Sequence, residues 1–178
     1  MKKAIIIGAT SGIGNELAKI LVENGYKVGI TGRRKHNLDK LQESRPNNYL
    51  TSSFDCTTEN NSEELTKLVN EMDGLDLLIY SSGTGDLNEK LDFKIENSTI
   101  KLNVTAFTEI VDWTFNYFEK KGKGHLVAIS SIAGIRGSRI APAYNASKAY
   151  QINYLESLRQ KAKKTKQPIY VTDIRPGF

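Results

Sequence analysis

The sequence has few residues of the kinds that cross-link a chain or hold a metal. Its only cysteine is Cys56, so an internal disulfide is excluded, and its two histidines, His36 and His125, lie far apart. A structural zinc site is therefore not expected, and we expect no resident metal. A single unpaired cysteine is typical of a protein in a reducing compartment, which favours the cytoplasm.

Long apolar runs are also lacking. No stretch approaches the roughly 20 apolar residues that a membrane-spanning helix needs, and the apolar run after Met1 is too short for a signal peptide. Neither a repeat nor a linker rich in Pro, Gly or Ser interrupts the 178 residues. We therefore expect one domain over residues 1–178 that is neither exported nor inserted into a membrane.

Positive charge is in excess, with 25 Lys and Arg against 20 Asp and Glu. Such an excess can indicate nucleic-acid binding. The lysines instead cluster where two predicted helices end, at Lys120, Lys121 and Lys123 and at Lys161, Lys163, Lys164 and Lys166. Cations at these positions complement the negative end of the helix dipole. Because a nucleic-acid surface would interleave lysines with aromatic residues, we expect no nucleic-acid partner.

Short apolar runs alternate with amphipathic segments along the chain. Six runs predict buried strands, at 4–7, 27–31, 49–54, 75–80, 125–130 and 169–174. Helical periodicity marks segments between them, such as 16–23 and 63–72. This alternation predicts a doubly wound parallel α/β sheet of the Rossmann type, with strand order 3-2-1-4-5-6. Ligands of such folds bind in the loops after the strands.

A glycine-rich loop follows the first predicted strand. Its candidate binding residues are Gly8, Thr10, Ser11, Gly12, Ile13 and Gly14. Glycines allow a tight turn and a close approach of the backbone to a pyrophosphate, whose charge the following helix N-terminus favours. A nucleoside-triphosphate P-loop is excluded, because no Lys-Ser or Lys-Thr pair follows the glycines. The pattern predicts a dinucleotide site, and a packing turn without a ligand is the alternative.

Two arginines, Arg33 and Arg34, follow the second predicted strand. In dinucleotide folds a carboxylate about 20 residues beyond the glycines selects NAD, whereas an arginine accommodates the 2′-phosphate of NADP. The nearest acid, Asp39, lies too far into the next helix to replace that carboxylate. The sequence therefore predicts NADP(H) as the preferred cofactor and NAD(H) as the alternative, while ordinary surface arginines are the explanation without a ligand.

A tyrosine and a lysine follow the fifth predicted strand. Tyr144 and Lys148 are spaced i and i+4 and share one helix face, and Ser131 precedes Tyr144 by 13 residues. A lysine about 4–5 Å from a phenol stabilises the phenolate by about 3–4 kcal/mol at an effective dielectric of about 20. Such a pair suits general acid-base chemistry, although the spacing alone is more often structural.

Taken together, these motifs resemble the short-chain dehydrogenase/reductase family, and the resemblance extends from the glycine loop to Pro176-Gly177. It implies that Ser131, rather than Ser130, hydrogen-bonds a substrate carbonyl. It also implies that Tyr144 donates or accepts the proton, and that Lys148 stabilises the Tyr144 phenolate and binds the nicotinamide ribose.

The same resemblance implies supporting roles for four further residues. Asn103 would hold a water that links the lysine to solvent, although a buried polar residue bonded to a helix carbonyl is the alternative. Asp55, expected at the end of the third strand, would hydrogen-bond the adenine amino group. Pro176 and Gly177 would flank the nicotinamide.

Two departures from the family pattern concern the cofactor. Ile7 stands where a threonine is usual, and Ser81-Ser82-Gly83 replaces part of the usual Asn-Asn-Ala-Gly turn. Serine makes weaker turn-type hydrogen bonds than asparagine. We keep Ser82 and Gly83 as candidate cofactor-binding residues and expect altered cofactor affinity with the chemistry retained.

The sequence thus predicts an NADP-dependent oxidoreductase that interconverts a carbonyl and an alcohol in a small-molecule substrate of unspecified identity. A non-catalytic dinucleotide sensor on the same fold is the alternative, and the complete set of Ser131, Tyr144, Lys148 and Asn103 argues against it. The resemblance also suggests a homodimer or homotetramer packed through the helices that carry Asn103 and Tyr144.

The family continues past the Pro-Gly turn with a substrate lid and a further strand, and we expect that region to be absent from this chain. A sixth parallel strand placed last should then expose an apolar edge of Ile169, Val171 and Ile174.

Overall fold

The chain folds around a parallel sheet in a computed structural model that describes residues 1–58 and 60–177. The sheet has six strands in the order β3-β2-β1-β4-β5-β6, which confirms the predicted order. The strands are β1 (Lys3–Ile7), β2 (Lys27–Thr31), β3 (Tyr49–Ser52), β4 (Leu77–Tyr80), β5 (Gly124–Ile129) and β6 (Ile169–Ile174).

Helices cover both faces of the sheet. On one face lie α1 (Gly12–Glu23) and α2 (Lys35–Ser44), and on the other lie α3 (Asn61–Met72), α5 (Phe107–Lys121) and α6 (Pro142–Thr165). A further helix, α4 (Phe93–Ile100), runs through a π-helical turn (Lys101–Ala106) directly into α5. A 3₁₀ turn (Ile132–Ile135) separates β5 from α6.

Alternate residues of each central strand enter different cores. In β1, Ile5 and Ile7 pack in the core under α3, α5 and α6, while Ile6 packs in the core under α1 and α2. Each of these isoleucines is at most 1% exposed. Burying one such side chain contributes about 1.5–3 kcal/mol, and burial on both faces explains why the strands are continuous apolar runs.

The crevice that this topology predicts opens above β1. Ile7, the last residue of β1, lies opposite Thr31 of β2 on one side and Tyr80 of β4 on the other. The connections from these strands leave toward opposite faces of the sheet, so the loops after β1 and β4 separate. The glycine loop and the Ser81-Ser82-Gly83 turn therefore form the two walls of one crevice.

Two strands are shorter than the sequence predicted. Strand β3 ends at Ser52 and β4 begins at Leu77, so each predicted run was two residues too long. Asp55 consequently lies three residues beyond β3, in a loop, and not at the end of the strand. Apolar runs overestimate strand length when the residues at one end leave the sheet yet stay near the core.

The expected apolar edge on β6 is also corrected in part. Ile169 and Val171 are only 6% and 7% exposed, because they pack in the core beneath α6. Ile174 is 43% exposed, as predicted. The helix that precedes a parallel edge strand can therefore cover the inward-facing side chains of that strand.

The lysine clusters lie at helix ends, as predicted. The last turn of α5 contains Lys120 and Lys121, and the last turn of α6 contains Lys163 and Lys164. Across the described part of the chain, none of the helices combines the length and the apolar character needed to cross a bilayer.

Candidate active site

The crevice contains two adjoining cavities, of about 430 and 400 Å³, that share Ser11 and the segment 81–84 as a common wall. Together they form what we call the groove. Residues that line its first half include Gly8, Thr10, Ser11, Arg33, Arg34, Ser82 and Gly83. Its second half is lined by Gly12, Ile13, Ser131, Tyr144, Lys148, Pro176 and Gly177, among others. The loops after all six strands, together with the start of α6, thus bring most of the predicted residues together.

The glycine loop is tightly packed where it needs glycine. Gly8 has a φ of +89°, and a Cβ there would lie 2.8 Å from the backbone nitrogen of Ser82. A Cβ on Gly14 would lie 2.2 Å from the carbonyl oxygen of Gly8. Both positions require glycine, because a Cβ at Gly8 would push the two walls of the groove apart and a Cβ at Gly14 would push α1 away from the loop.

The N-terminus of α1 opens into the groove. Ser11 is the N-cap residue, and within the described residues its side chain accepts no hydrogen bond from the first turn of the helix. The first turn also contains no acidic residue. Its backbone N–H groups and the positive end of the helix dipole are thus available to an anion, and a dinucleotide pyrophosphate fits this donor set.

The two predicted arginines behave differently. Arg34 donates hydrogen bonds from Nε and Nη2 to Oγ1 of Thr10, at 3.1 and 2.7 Å, and from Nη2 to Oγ of Ser11, at 2.7 Å. It therefore fastens the glycine loop to the start of α2. The Arg33 side chain is 69% exposed, and its Nη1 lies 3.6 Å from a carboxylate oxygen of Asp55.

Asp55 lies beside the first half of the groove, whose wall includes its neighbours Phe54 and Cys56. Its carboxylate accepts hydrogen bonds from the backbone nitrogen and the hydroxyl of Thr57, at 3.0 and 2.8 Å. Partial burial raises the pKa of Asp55, but the Thr57 hydrogen bonds and Arg33 outweigh it and hold the pKa below its usual value. Asp55 is therefore a carboxylate at neutral pH. A contact with adenine stays a prediction.

Tyr144 and Lys148 lie on the first two turns of α6. Nζ of Lys148 is 5.8 Å from the centroid of the Tyr144 ring, and the lysine is only 4% exposed. Its ammonium donates hydrogen bonds to the backbone oxygen of Ile129, at 3.2 Å, and to Oε1 of Gln151, at 3.1 Å. Burial lowers the pKa of Lys148 to about 8, and the nearby carboxylate of Asp173 opposes that shift.

The structure separates the roles of the two adjacent serines. The Ser130 hydroxyl donates a hydrogen bond to the carboxylate of Asp173, on β6. The Ser131 hydroxyl accepts a hydrogen bond from the backbone nitrogen of Ala133, at 3.0 Å, and so caps the 3₁₀ turn. Because an accepted hydrogen bond leaves the hydroxyl proton to be donated, Ser131 suits a carbonyl ligand better than Ser130 does.

Asn103 connects the loop after β4 with helix α6. It is fully buried in the π-helical turn, a local distortion often found at functional sites. Its Oδ1 accepts from the backbone nitrogen of Thr84 at 3.0 Å, and its Nδ2 donates to the backbone oxygen of Thr84 at 2.7 Å and to Oγ of Ser147 at 3.0 Å. The side chain thus holds the loop after β4 against α6.

Comparison with known proteins decides the family. Residues 2–178 match the family model described as short chain dehydrogenase. The chain belongs to the short-chain dehydrogenase family. An oxidoreductase of Myxococcus xanthus is 33% identical, over 99% of this chain and 72% of that protein. A Dictyostelium discoideum protein named dehydrogenase/reductase SDR family protein 7-like is 31% identical, over 99% of this chain and 58% of that protein.

Solved structures agree with this family. A short-chain dehydrogenase from Streptomyces avermitilis superposes with a TM-score of 0.91 at 25% identity, covering 99% of this chain and 66% of that one. A xylitol dehydrogenase shares the fold with a TM-score of 0.90 at 23% identity, covering 99% of this chain and 70% of that one. The resemblance found in the sequence is confirmed, and the chain is an NAD(P)-dependent dehydrogenase or reductase.

Some residues that shape this short-chain dehydrogenase site were missed by sequence reasoning. Oε2 of Glu96 accepts from the backbone nitrogen of Ala143 at 2.8 Å. Nδ2 of Asn145 donates to the backbone oxygens of Ala133 and Arg136, both at 2.7 Å. These contacts fix the first turn of α6 around Tyr144. No local signal marks Glu96, because its partner is 47 residues away.

Gln151 was also missed, although a signal for it exists. Tyr144, Lys148 and Gln151 follow the spacing i, i+4 and i+7, which places all three on one face of a helix. The inward face of a helix is mainly apolar, so a polar glutamine on the same face as two catalytic candidates is unusual. The pattern indicates a polar contact within the helix face.

Proposed function

We propose that this short-chain dehydrogenase interconverts a carbonyl and an alcohol in a small molecule, with NADP(H) as its preferred cofactor. The observation that carries the proposal is that Tyr144, Lys148 and Ser131 line the same groove as the uncapped N-terminus of α1. Among proteins with the same fold, xylitol dehydrogenase is described with bound NAD+ and ElxO with bound NADP, which supports a nicotinamide dinucleotide.

The chain offers residues for each part of such a cofactor. The start of α1 and its glycine loop would hold the pyrophosphate, Arg33 the 2′-phosphate and Lys148 the nicotinamide ribose. Asp55 would lie toward the adenine, and Pro176 and Gly177 toward the nicotinamide. When bound, the nicotinamide supplies or accepts the hydride.

The protein residues would transfer the proton between Tyr144 and the substrate oxygen. The Ser131 hydroxyl would donate a hydrogen bond to the substrate carbonyl oxygen and polarise the C=O bond. As the carbon gains a hydride, the Tyr144 hydroxyl would transfer its proton to that oxygen and form the alcohol. The Lys148 ammonium would stabilise the phenolate left on Tyr144. In the reverse direction, the phenolate would take the proton from the alcohol.

Cofactor preference gives a direct test at Arg33. We expect Arg33→Ala to weaken NADPH binding about ten- to hundredfold, because a charged hydrogen bond to phosphate contributes about 1.5–3 kcal/mol. NADH binding should change little. Arg34→Ala should weaken the binding of both cofactors, because Arg34 holds the glycine loop, which NADPH and NADH would both use. Fluorescence titration of both cofactors measures this, and wild-type protein that binds NADH as tightly as NADPH would contradict the preference.

The packing of Gly85 on Tyr144 gives a second test. A Cβ on Gly85 would lie 2.3 Å from Cδ2 of the Tyr144 ring. Gly85→Ala should therefore displace the phenol and lower kcat by up to about a hundredfold, a loss that a misplacement near 1 Å can cause. Cofactor binding should persist. Gly137→Ala is the matched control, because its Cβ would meet no described atom within 4 Å. Unchanged kcat in Gly85→Ala would show that the ring position is not critical.

We also propose that the protein is cytoplasmic and forms a homodimer or homotetramer. A single cysteine supports the compartment. Half-buried aromatic side chains on the two helices nearest the site, Trp113 and Tyr117 on α5 and Tyr150 and Tyr154 on α6, support packing through these helices.

A further inference from the structure

The side-chain amide of Gln151 joins two predicted site residues. Its Oε1 accepts a hydrogen bond from Nζ of Lys148 at 3.1 Å, and its Nε2 donates to the backbone oxygen of Asn103 at 2.9 Å. An ammonium can only donate and a carbonyl can only accept, so chemistry alone fixes the orientation of this amide. Gln151 is fully buried, and its contacts are held away from solvent.

We propose that Gln151 is a positioning residue whose amide ties the Lys148 ammonium to the Asn103 carbonyl and so directs the ammonium toward the groove. This role rests on the function proposed above for Lys148.

The donor count of Lys148 supports this role. An ammonium has three N–H donors, and two of them are used by the backbone oxygen of Ile129 and by Gln151. Gln151 is fully buried and lines neither cavity, whereas Ile129 and Lys148 both line the groove. The third N–H is therefore left for a ligand or for the Tyr144 oxygen. Without Gln151, the backbone oxygen of Ile129 would be the one remaining acceptor for Nζ among the described residues, and the direction of the ammonium would be poorly defined.

The anchor of the bridge is the π-helical turn. The Asn103 side chain is held by the backbone of Thr84 and by Ser147, so its backbone carbonyl cannot easily move. Gln151 transfers this rigidity from the turn to the ammonium. The resemblance implies that Asn103 holds a water that links the lysine to solvent, and the Gln151 amide gives Asn103 a connection of its own to the same lysine.

The electrostatics explain why a neutral acceptor suits this place. Among residues 1–58 and 60–177, the ionisable groups that face Lys148 are Tyr144 on its own helix and Asp173 on β6. Burial lowers the pKa of Lys148, and an amide oxygen stabilises the ammonium without adding a second negative charge. A carboxylate at 151 would instead raise the pKa of Lys148 and compete with the phenolate for its charge.

Two variants and a control test the kinetic role. Gln151→Met preserves volume but removes both hydrogen bonds, and we expect kcat to fall about tenfold or more while the substrate KM stays within about threefold. Gln151→Glu keeps an acceptor, and the pH profile of its kcat should shift by about one unit to higher pH. Gln160→Met changes an exposed glutamine of the same helix and should leave kcat and the profile unchanged. A Gln151→Met enzyme with wild-type kcat and pH profile would overturn the proposal.

A measurement independent of activity separates this proposal from the proposed function. In wild-type protein the NMR signals of the Gln151 side-chain amide should titrate with a midpoint near the pKa of Lys148, about 8, and the titration should vanish in Lys148→Met. An amide that does not titrate overturns the bridge even if the enzyme is active. Conversely, failure of wild-type protein to reduce any carbonyl with either cofactor overturns the proposed function even if the amide titrates.

Discussion

Replacing Tyr144 by phenylalanine should lower turnover of any accepted carbonyl by about 10²–10⁴-fold, the usual contribution of a positioned general acid. Only the hydroxyl is removed, and the ring keeps its packing against Gly85. Across residues 1–58 and 60–177, the structure gives the Tyr144 hydroxyl no hydrogen-bond partner, so folding stability should change by less than about 0.5 kcal/mol. Cofactor binding should persist, because the phenol contributes little to it.

Steady-state kinetics, cofactor titration and thermal unfolding together measure this prediction. Tyr170→Phe is a suitable control, since Tyr170 lies on β6 and is 62% exposed. It should retain the wild-type rate. If Tyr144→Phe stays within about tenfold of wild type, below the range for general acid catalysis, the tyrosine has a structural role and another group supplies the proton.

Gly14→Ala should nearly abolish cofactor binding. Its Cβ would lie 2.2 Å from the carbonyl oxygen of Gly8, and a backbone atom cannot move aside as a flexible side chain can. The glycine loop and the start of α1 must then separate, which removes the N–H groups that would bind the pyrophosphate. We expect both NADPH and NADH to bind at least about a hundredfold more weakly, or about 2.8 kcal/mol.

Gly25→Ala provides a matched control close to the opposite end of α1. Gly25 has a φ of +80°, and its Cβ would meet no described atom within 4 Å. The left-handed backbone should cost about 1–2 kcal/mol of stability, but cofactor affinity should be unchanged. Calorimetric titration of both variants separates the two effects. Wild-type affinity in Gly14→Ala would mean that the loop does not bind phosphate.

The sheet could be predicted because its physical causes are local. Strands buried on both faces must be apolar throughout, so the runs that contain Ile6 and Val28 are visible in the sequence. The hydrogen bonds that hold the site together were harder to predict than the residues that make them. Asn103 bonds Thr84, 19 residues away, and Arg34 bonds Thr10, 24 residues away. Such partners depend on how the loops fold over the sheet, and the hydrophobic periodicity of the sequence gives no sign of them.

Site residues were also easier to place when their position depends on local structure than when it depends on strand pairing. Tyr144 and Lys148 were recognised because one helix fixes their spacing, whatever surrounds it. Asp55 was assigned to the wrong element because the end of β3 depends on where its pairing with β2 stops, at Ser52 beside Thr31. The roles of these residues in binding and catalysis stay predictions until the variants are measured.

The hydrogen bonds from Arg34 to the glycine loop bear on how this enzyme could acquire a different cofactor. Arg33 and Arg34 are neighbours in sequence, yet only Arg34 supports the loop that any dinucleotide would use. On the function proposed above, a lineage that lost Arg34 first would bind both cofactors more weakly before it gained a new preference. Within the described residues, substitution at Arg33 disturbs an ion pair with Asp55, besides the contact proposed above with a 2′-phosphate. The accessible route to a new preference, by evolution or by engineering, therefore passes through position 33 while position 34 stays unchanged.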